Sequence, residues 1–217
     1  MNNGQDWTAE TERQAEAAIG YAFSDKELLR TAFTHKSYAN VHACEHNDRL
    51  EFLGDAVLQI CVSERLFPDK SLQSGSLTAL RQEYVSEVPL TAAENRADLM
   101  RFLRYSGGKD NLEGKTNSNL FEAVTAAIYL DGGKEAAAGF IWKFLQRVEM
   151  PNYKSLLQEY VQSKTKSTPA YRKWEEDGVK YSEASALGRK TLGRGNNYAE
   201  AEKEAARALL VILREEV

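Results

Sequence analysis

Residues Asn47–Leu58 read NDRLEFLGDAVL and set three acids, Asp48, Glu51 and Asp55, into an otherwise apolar helical pattern. At helical spacing the three carboxylates fall within about 60° of arc on one face. Leu50, Leu53, Val57 and Cys61 fall on the opposite face, the expected core stripe. A run of acids on one face is ordinarily solvated surface, but two neighbours argue for more. Phe52 lies about 40° from Asp48, and a large ring beside carboxylates suggests a covered surface such as a subunit contact. Gly54 removes a side chain from a helix interior at a cost of about 1 kcal/mol, which favours close approach by another backbone. Like charges held on one face call for a positive partner, and a hard divalent cation is the natural candidate.

A second segment supplies more oxygen ligands. Asn119–Tyr129 reads as a helix with Phe121, Val124 and Ile128 as its buried stripe and Leu130-Asp131-Gly132-Gly133 as its cap. Asn119 and Glu122, at i and i+3, share one face. If that face meets the one bearing Glu51 and Asp55, four oxygen-bearing side chains converge. Such a group could hold one or two Mg²⁺ ions in hard oxygen ligands.

NDRLEFLGDAVL resembles the signature helix of the ribonuclease III family. So do IGYAFSDKELLRTAFTHKSYAN (Ile19–Asn40) upstream and NLFEAVTAAIYLDGG (Asn119–Gly133) downstream, so that the resemblance covers most of residues 12–147. In the tail, YKSLLQEYVQSK and LGRGNNYAEAEKEAARALL resemble a double-stranded RNA-binding domain. The resemblance implies an all-α endonuclease domain over residues 8–148, followed by a small α+β domain of α-β-β-β-α order over 152–217. It implies Mg²⁺-dependent cleavage of double-stranded RNA to 5′-phosphate ends, with Mn²⁺ able to substitute, in rRNA precursor and mRNA processing. The metal would be held by Glu51, Asp55, Asn119 and Glu122, with Asp55 and Glu122 most directly tied to catalysis. A homodimer is implied as well, with Phe52 at its interface. In the tail, the implied RNA contacts are Gln158 and Glu159 on the first helix. Lys180, Arg189, Lys190, Arg194 and Lys203 are basic candidates beside them, although scattered basic residues are as often solvated surface.

The chain departs from the family pattern at several points. Asn119 stands where the family has Asp, so one ligand brings no charge and weaker metal affinity is expected. Asp48 replaces a usual Glu, and Ser74 stands where Glu is common. The Lys-Lys phosphate clamp at the start of the last helix reads Tyr198-Ala199-Glu200-Ala201-Glu202, and the Gly-Pro-x-His loop is reduced to Gly178-Val179-Lys180. A preserved fold with a weakened grip on RNA follows, since each lost phosphate contact lowers affinity. The rival reading is a non-catalytic duplex-RNA-binding or ribosome-associated protein that kept the fold; Asn119 favours it, and the intact Glu51, Asp55 and Glu122 oppose it. His35, in Thr34-His35-Lys36-Ser37-Tyr38, could serve as a base, but the motif makes it a hydrogen-bonded structural or near-site residue.

Composition sets the outer bounds. The 217 residues suffice for one good-sized domain and one small one. A net charge of −4 argues, taken alone, against nucleic acid. The charge is uneven: residues 151–217 carry +2 and residues 1–150 carry −6. No stretch approaches about 18 apolar residues, so no membrane span is expected. The polar, acidic start does not look like a signal peptide. Cys44 and Cys61 make no disulfide framework or zinc spacing, and fit a cytoplasmic compartment.

Outside the two clearest helices the pattern predicts helices in ETERQAEAAIG and DKELLRTAFTHKSYA, further helices in SLTALRQEYVSEVPLTAAENRADL, a Gly-rich loop in RFLRYSGGKDNLEGKTN, and a helix over Lys134–Val148. Pro151 marks a boundary. Beyond it come a helix at Tyr153–Lys164, strands at Ala170–Glu176, Tyr181–Leu187 and Thr191–Gly195 with Gly188-Arg189-Lys190 as a turn, and a long helix at Tyr198–Glu215.

Overall fold

The computed structural model describes residues 7–108, 112, 114–148 and 152–215. They fall into two compact units that part after Val148 and resume at Asn152. Pro151 and part of the Gly-rich loop lie outside the described residues.

The first unit is helical: α1 (Ala9–Ile19), α2 (Lys26–Ala32), α3 (Lys36–His42), α4 (Asp48–Leu66), α5 (Ser74–Val85), α6 (Glu87–Ala97), a short 3₁₀ turn (Met100–Phe102) and α7 (Thr116–Phe144). The heart of its core is α4 against α7. Leu50, Val57, Leu58, Cys61 and Val62 of α4 are buried against Leu120, Phe121, Val124, Ile128 and Ile141 of α7, as the apolar stripes require. Gly133 sits at φ 80° and ψ −176° and breaks α7 there, a conformation that side chains other than glycine's rarely adopt. The helix beyond this break ends at Phe144, short of the expected Val148, because the chain turns away and the Val148 N–H donates to the Glu83 carbonyl (3.1 Å).

DKELLRTAFTHKSYA is not one helix. Between α2 and α3 the backbone is extended: Arg104 N–H donates to the Phe33 carbonyl (2.8 Å) and His35 N–H to the Arg104 carbonyl (2.9 Å). These long-range bonds outweigh continued helix. They bring Thr34 to the start of α4, where its carbonyl accepts the Asn47 N–H (3.0 Å).

The second unit is α8 (Tyr153–Lys164), strands β1 (Ala170–Glu176), β2 (Val179–Ala186) and β3 (Arg189–Gly195), and α9 (Tyr198–Glu215). The sheet is antiparallel in the order β1-β2-β3. Leu157 and Val161 of α8 and Leu209, Leu210 and Leu213 of α9 form its core with Ala184 of β2. This is the α-β-β-β-α plan of a double-stranded RNA-binding domain. Both hairpins close through two residues of positive φ, Asp177-Gly178 and Leu187-Gly188, the primed geometry that matches strand twist. Arg189 and Lys190 therefore belong to β3 rather than to the turn, and Lys180 belongs to β2 rather than to a loop.

Candidate active site

Gly54 explains how the acids meet. A Cβ at that position would stand 1.9 Å from the Glu122 carbonyl oxygen and 2.5 Å from its carbonyl carbon. Only glycine lets α4 lie this close to α7, and the contact falls between Glu51 and Asp55 on one side and Glu122 on the other. The result is a cleft of about 480 Å³. Glu51, Asp55, Asn119 and Glu122 all line it, together with Asp48 and Phe52. The four ligand candidates are half-buried, whereas Asp48 and Phe52 are exposed. The two helix faces thus meet, and the four side chains line one cleft.

The electrostatics of the cleft centre on Glu122. Its carboxyl is pushed up to about 8, first by burial and then by the charges of Asp55 and Glu51, with Lys115 pulling it back. Asp55 accepts a hydrogen bond from Gln59 Nε2 (2.8 Å). An unfolded Glu titrates near 4.3, so between about 4.3 and 8 the folded protein holds a proton that the unfolded chain has lost. Without a divalent ion, stability contributed by this group is full at and below about pH 4.3 and falls as pH rises through 8, by on the order of a few kcal/mol. Urea midpoints in EDTA at pH 5 and pH 8 measure this: the fall should be larger for the natural chain than for Glu122→Gln.

Three further residues of the cleft, Lys36, Asn47 and Thr116, were not singled out by the sequence reading. Asn47 lies one turn before Glu51 and Thr116 one turn before Asn119, so helical spacing puts both on the acidic faces, whereas Lys36 arrives through the extended Phe33–His35 segment. His35 also lines the cleft and is buried. Its Nδ1 accepts the Ser37 N–H (3.2 Å) and lies 2.9 Å from Ser37 Oγ, so it caps α3 and its proton is assigned to Nε2. That is the hydrogen-bonded near-site role expected of it.

Among the described residues no group of three or more His, Cys, Asp or Glu side chains stands ready to hold a metal ion. The donor chemistry nevertheless suits one: three carboxyl groups and an amide oxygen face one cleft, whose surroundings disfavour charge on Glu122 until a cation is present. The residues fit a divalent cation in kind, and a bound cation would have to draw the side chains together.

In the tail, Gln158 and Glu159 are exposed on α8, and Arg189, Lys190 and Arg194 are exposed on β3, while Lys203 on α9 is half-buried. Two of the basic candidates are engaged within the fold. Lys180 pairs with Glu175 and lies over the Tyr198 ring (5.5 Å), and Lys190 pairs with Glu183 (3.0 Å). The start of α9 is closed as well: Asn197 Oδ1 accepts the Glu200 N–H (2.9 Å), and Glu200 accepts the Asn196 N–H (2.9 Å). A carboxylate thus occupies the place where a helix N-terminus would favour phosphate.

A helical unit with an acidic cleft, followed in the chain by an α-β-β-β-α unit, defines a two-domain nuclease. The Ribonuclease-III-like family model matches residues 25–148. Ribonuclease 3 of Symbiobacterium thermophilum is 39% identical over 219 residues, spanning 89% of this chain and 91% of that protein. Ribonuclease 3 of Protochlamydia amoebophila is 34% identical over 220 residues, spanning 93% and 91%. Among solved structures, the ribonuclease III nuclease domain of Campylobacter jejuni superposes with a TM-score of 0.55 at 36% identity, covering 60% of this chain and 93% of that one. The chain belongs to the ribonuclease III family, and it is an endonuclease of that class.

Proposed function

We propose that this chain cleaves double-stranded RNA by divalent-metal-dependent phosphodiester hydrolysis, leaving 5′-phosphate ends, and acts in rRNA precursor and mRNA processing. The observation that carries the reading is the convergence of Glu51, Asp55, Asn119 and Glu122 on one cleft in a member of this family. Those four side chains would hold Mg²⁺, or Mn²⁺ in its place. When bound, the ion supplies a nucleophilic water at neutral pH and offsets charge developing on the phosphate. The burial and like charges that raise the Glu122 carboxyl in the cation-free cleft would be offset by a bound cation, leaving Glu122 a charged oxygen ligand. Gln59 orients Asp55, and Asn119 offers an oxygen without charge.

Asn119→Asp should therefore lower the Mg²⁺ concentration for half-maximal cutting, by about tenfold if the added charge contributes about 1.4 kcal/mol. A Mg²⁺ titration of the variant checks this, and an unchanged requirement would count against a ligand role.

Phe52 is 82% exposed at the edge of an apolar-lined cavity of about 1030 Å³ that includes Leu28, Leu50, Leu53 and Leu130. We take this face as the homodimer contact; the Campylobacter jejuni structure is described as having a flexible region involved in dimer formation. In the tail, Gln158, Glu159, Lys180, Arg189, Lys190, Arg194 and Lys203 are the proposed contacts to duplex RNA, with Lys180 and Lys190 contributing only by leaving their glutamates. A reducing cytoplasmic location suits the two free cysteines. Among the described residues no helix is long and apolar enough to cross a membrane.

The test is incubation of the purified chain with long duplex RNA in Mg²⁺ and in EDTA. Metal-dependent fragments with 5′-phosphate ends are expected. Binding without cutting would instead select the non-catalytic reading.

A further inference from the structure

Two carboxylates are buried among the described residues, Glu12 and Glu94. Glu12 has a cation, Arg30 (2.6 Å). Glu94, only 1% exposed on α6, pairs with no described Lys, Arg or His. A buried carboxylate without a counter-charge is costly, and the fold satisfies this one with donors instead. The Met100 N–H donates to Oε1 (2.8 Å), and Asn117 Nδ2 donates to Oε2 (2.5 Å). Met100 opens the 3₁₀ turn, and Asn117 lies in the first turn of α7.

Within that turn Ser118 Oγ donates to the Lys115 carbonyl (2.9 Å), and the Asn117–Glu94 bond links the turn to α6. Lys115, at the N-cap of α7, makes no side-chain capping bond, and no acid lies in the first turn. An uncapped helix start frays readily. Yet the turn runs straight into Asn119 and Glu122, whose places must be kept closely, since a displacement of about 1 Å can cost about 100-fold in rate.

We propose that Glu94 is a positioning residue of the active centre: through Asn117 it ties the first turn of α7 to α6 and the 3₁₀ turn, and so fixes where Asn119 stands. The proposal rests on the functional reading above in taking Asn119 as a ligand. Glu94 touches neither substrate nor metal and acts only through Asn117.

Asn117→Leu removes the tie at a half-buried position. Its kcat on duplex RNA should fall about 10- to 100-fold. Half-saturating Mg²⁺ should rise, and KM for RNA should stay within about twofold because the RNA-facing surface is intact. In Glu94→Gln with Asn117→Asp the donor and acceptor are exchanged, and kcat should return to within a few-fold of the natural chain. A cooperatively folded Asn117→Leu with unchanged kcat and Mg²⁺ dependence overturns the proposal, as does failure of the exchanged pair to restore either one. If the natural chain does not cut RNA, the functional reading fails, and the tie is then read from hydrogen exchange. Faster exchange confined to the 119–121 amides of Asn117→Leu supports it, and unchanged exchange there overturns it.

Discussion

Glu122→Gln is expected to slow duplex-RNA cutting by about 10²-fold or more, because it takes a charged ligand from the proposed cation site. The substitution keeps the shape of the side chain and removes both its charge and its titration. Glu122 is the deepest charge conflict in the cleft, its carboxyl raised to about 8 by burial and by Asp55 and Glu51. Removing it should leave RNA binding nearly unchanged, since the candidate RNA contacts lie on the tail. It should also make the metal-free protein more stable at pH 8, because one buried like charge is gone. A loss of activity paired with a gain in metal-free stability separates a functional carboxylate from a structural one. Single-turnover rates and urea midpoints of the same preparation measure both. A variant that cuts at the natural rate would remove Glu122 from the mechanism.

Gly54→Ala should be the most damaging single-methyl change in the first unit. The new Cβ would fall 1.9 Å from the Glu122 carbonyl oxygen and 3.0 Å from its Cα. These are backbone atoms at the centre of the α4–α7 contact and cannot rotate aside. Alanine gains about 1 kcal/mol of helix propensity, but overpacking of a tight core costs about 1–3 kcal/mol and more where backbones collide. A net loss of about 2 kcal/mol is expected. Activity should fall further than stability, by about 100-fold or more, because parting the helices separates Glu51 and Asp55 from Glu122. Urea unfolding gives the first number and cleavage of duplex RNA the second. Full activity in a folded Gly54→Ala would mean that the close approach does not set the site.

Those two residues also show how far the sequence carries. Gly54 reads as a close-approach glycine because it interrupts a strong helix without ending it, and the structure names the atom it approaches. The acids are legible because helical period is local: Glu51 and Asp55 share a face whatever else the fold does. The same holds for Phe121, Val124 and Ile128, all fully buried. What escaped depends on contacts between distant segments. Thr34 and His35 leave the helix to bond Arg104, and nothing within a few residues announces it. Lys36 reaches the cleft for the same reason, whereas Asn47 and Thr116 lie one helical turn from Glu51 and Asn119 and share their faces. The Glu94–Asn117 tie spans 23 residues and two helices, so neither residue looks unusual in its own segment. In the tail, the strands were legible but the turn at Leu187-Gly188 was displaced by one residue, because the non-glycine Leu187 takes a positive φ. That shift moved Arg189 and Lys190 from a loop into a strand, and the Glu183 beside Lys190 was not anticipated.

Glu51, Asp55, Asn119 and Glu122 are expected to hold a divalent cation together. Anomalous diffraction from crystals of the full chain grown with Mn²⁺ tests it most directly. A peak is expected in the cleft between α4 and α7, within ligand distance of Glu122 and Glu51, and absent from Glu122→Gln crystals grown alike. An empty cleft in a preparation that cuts duplex RNA under the same Mn²⁺ concentration would contradict it.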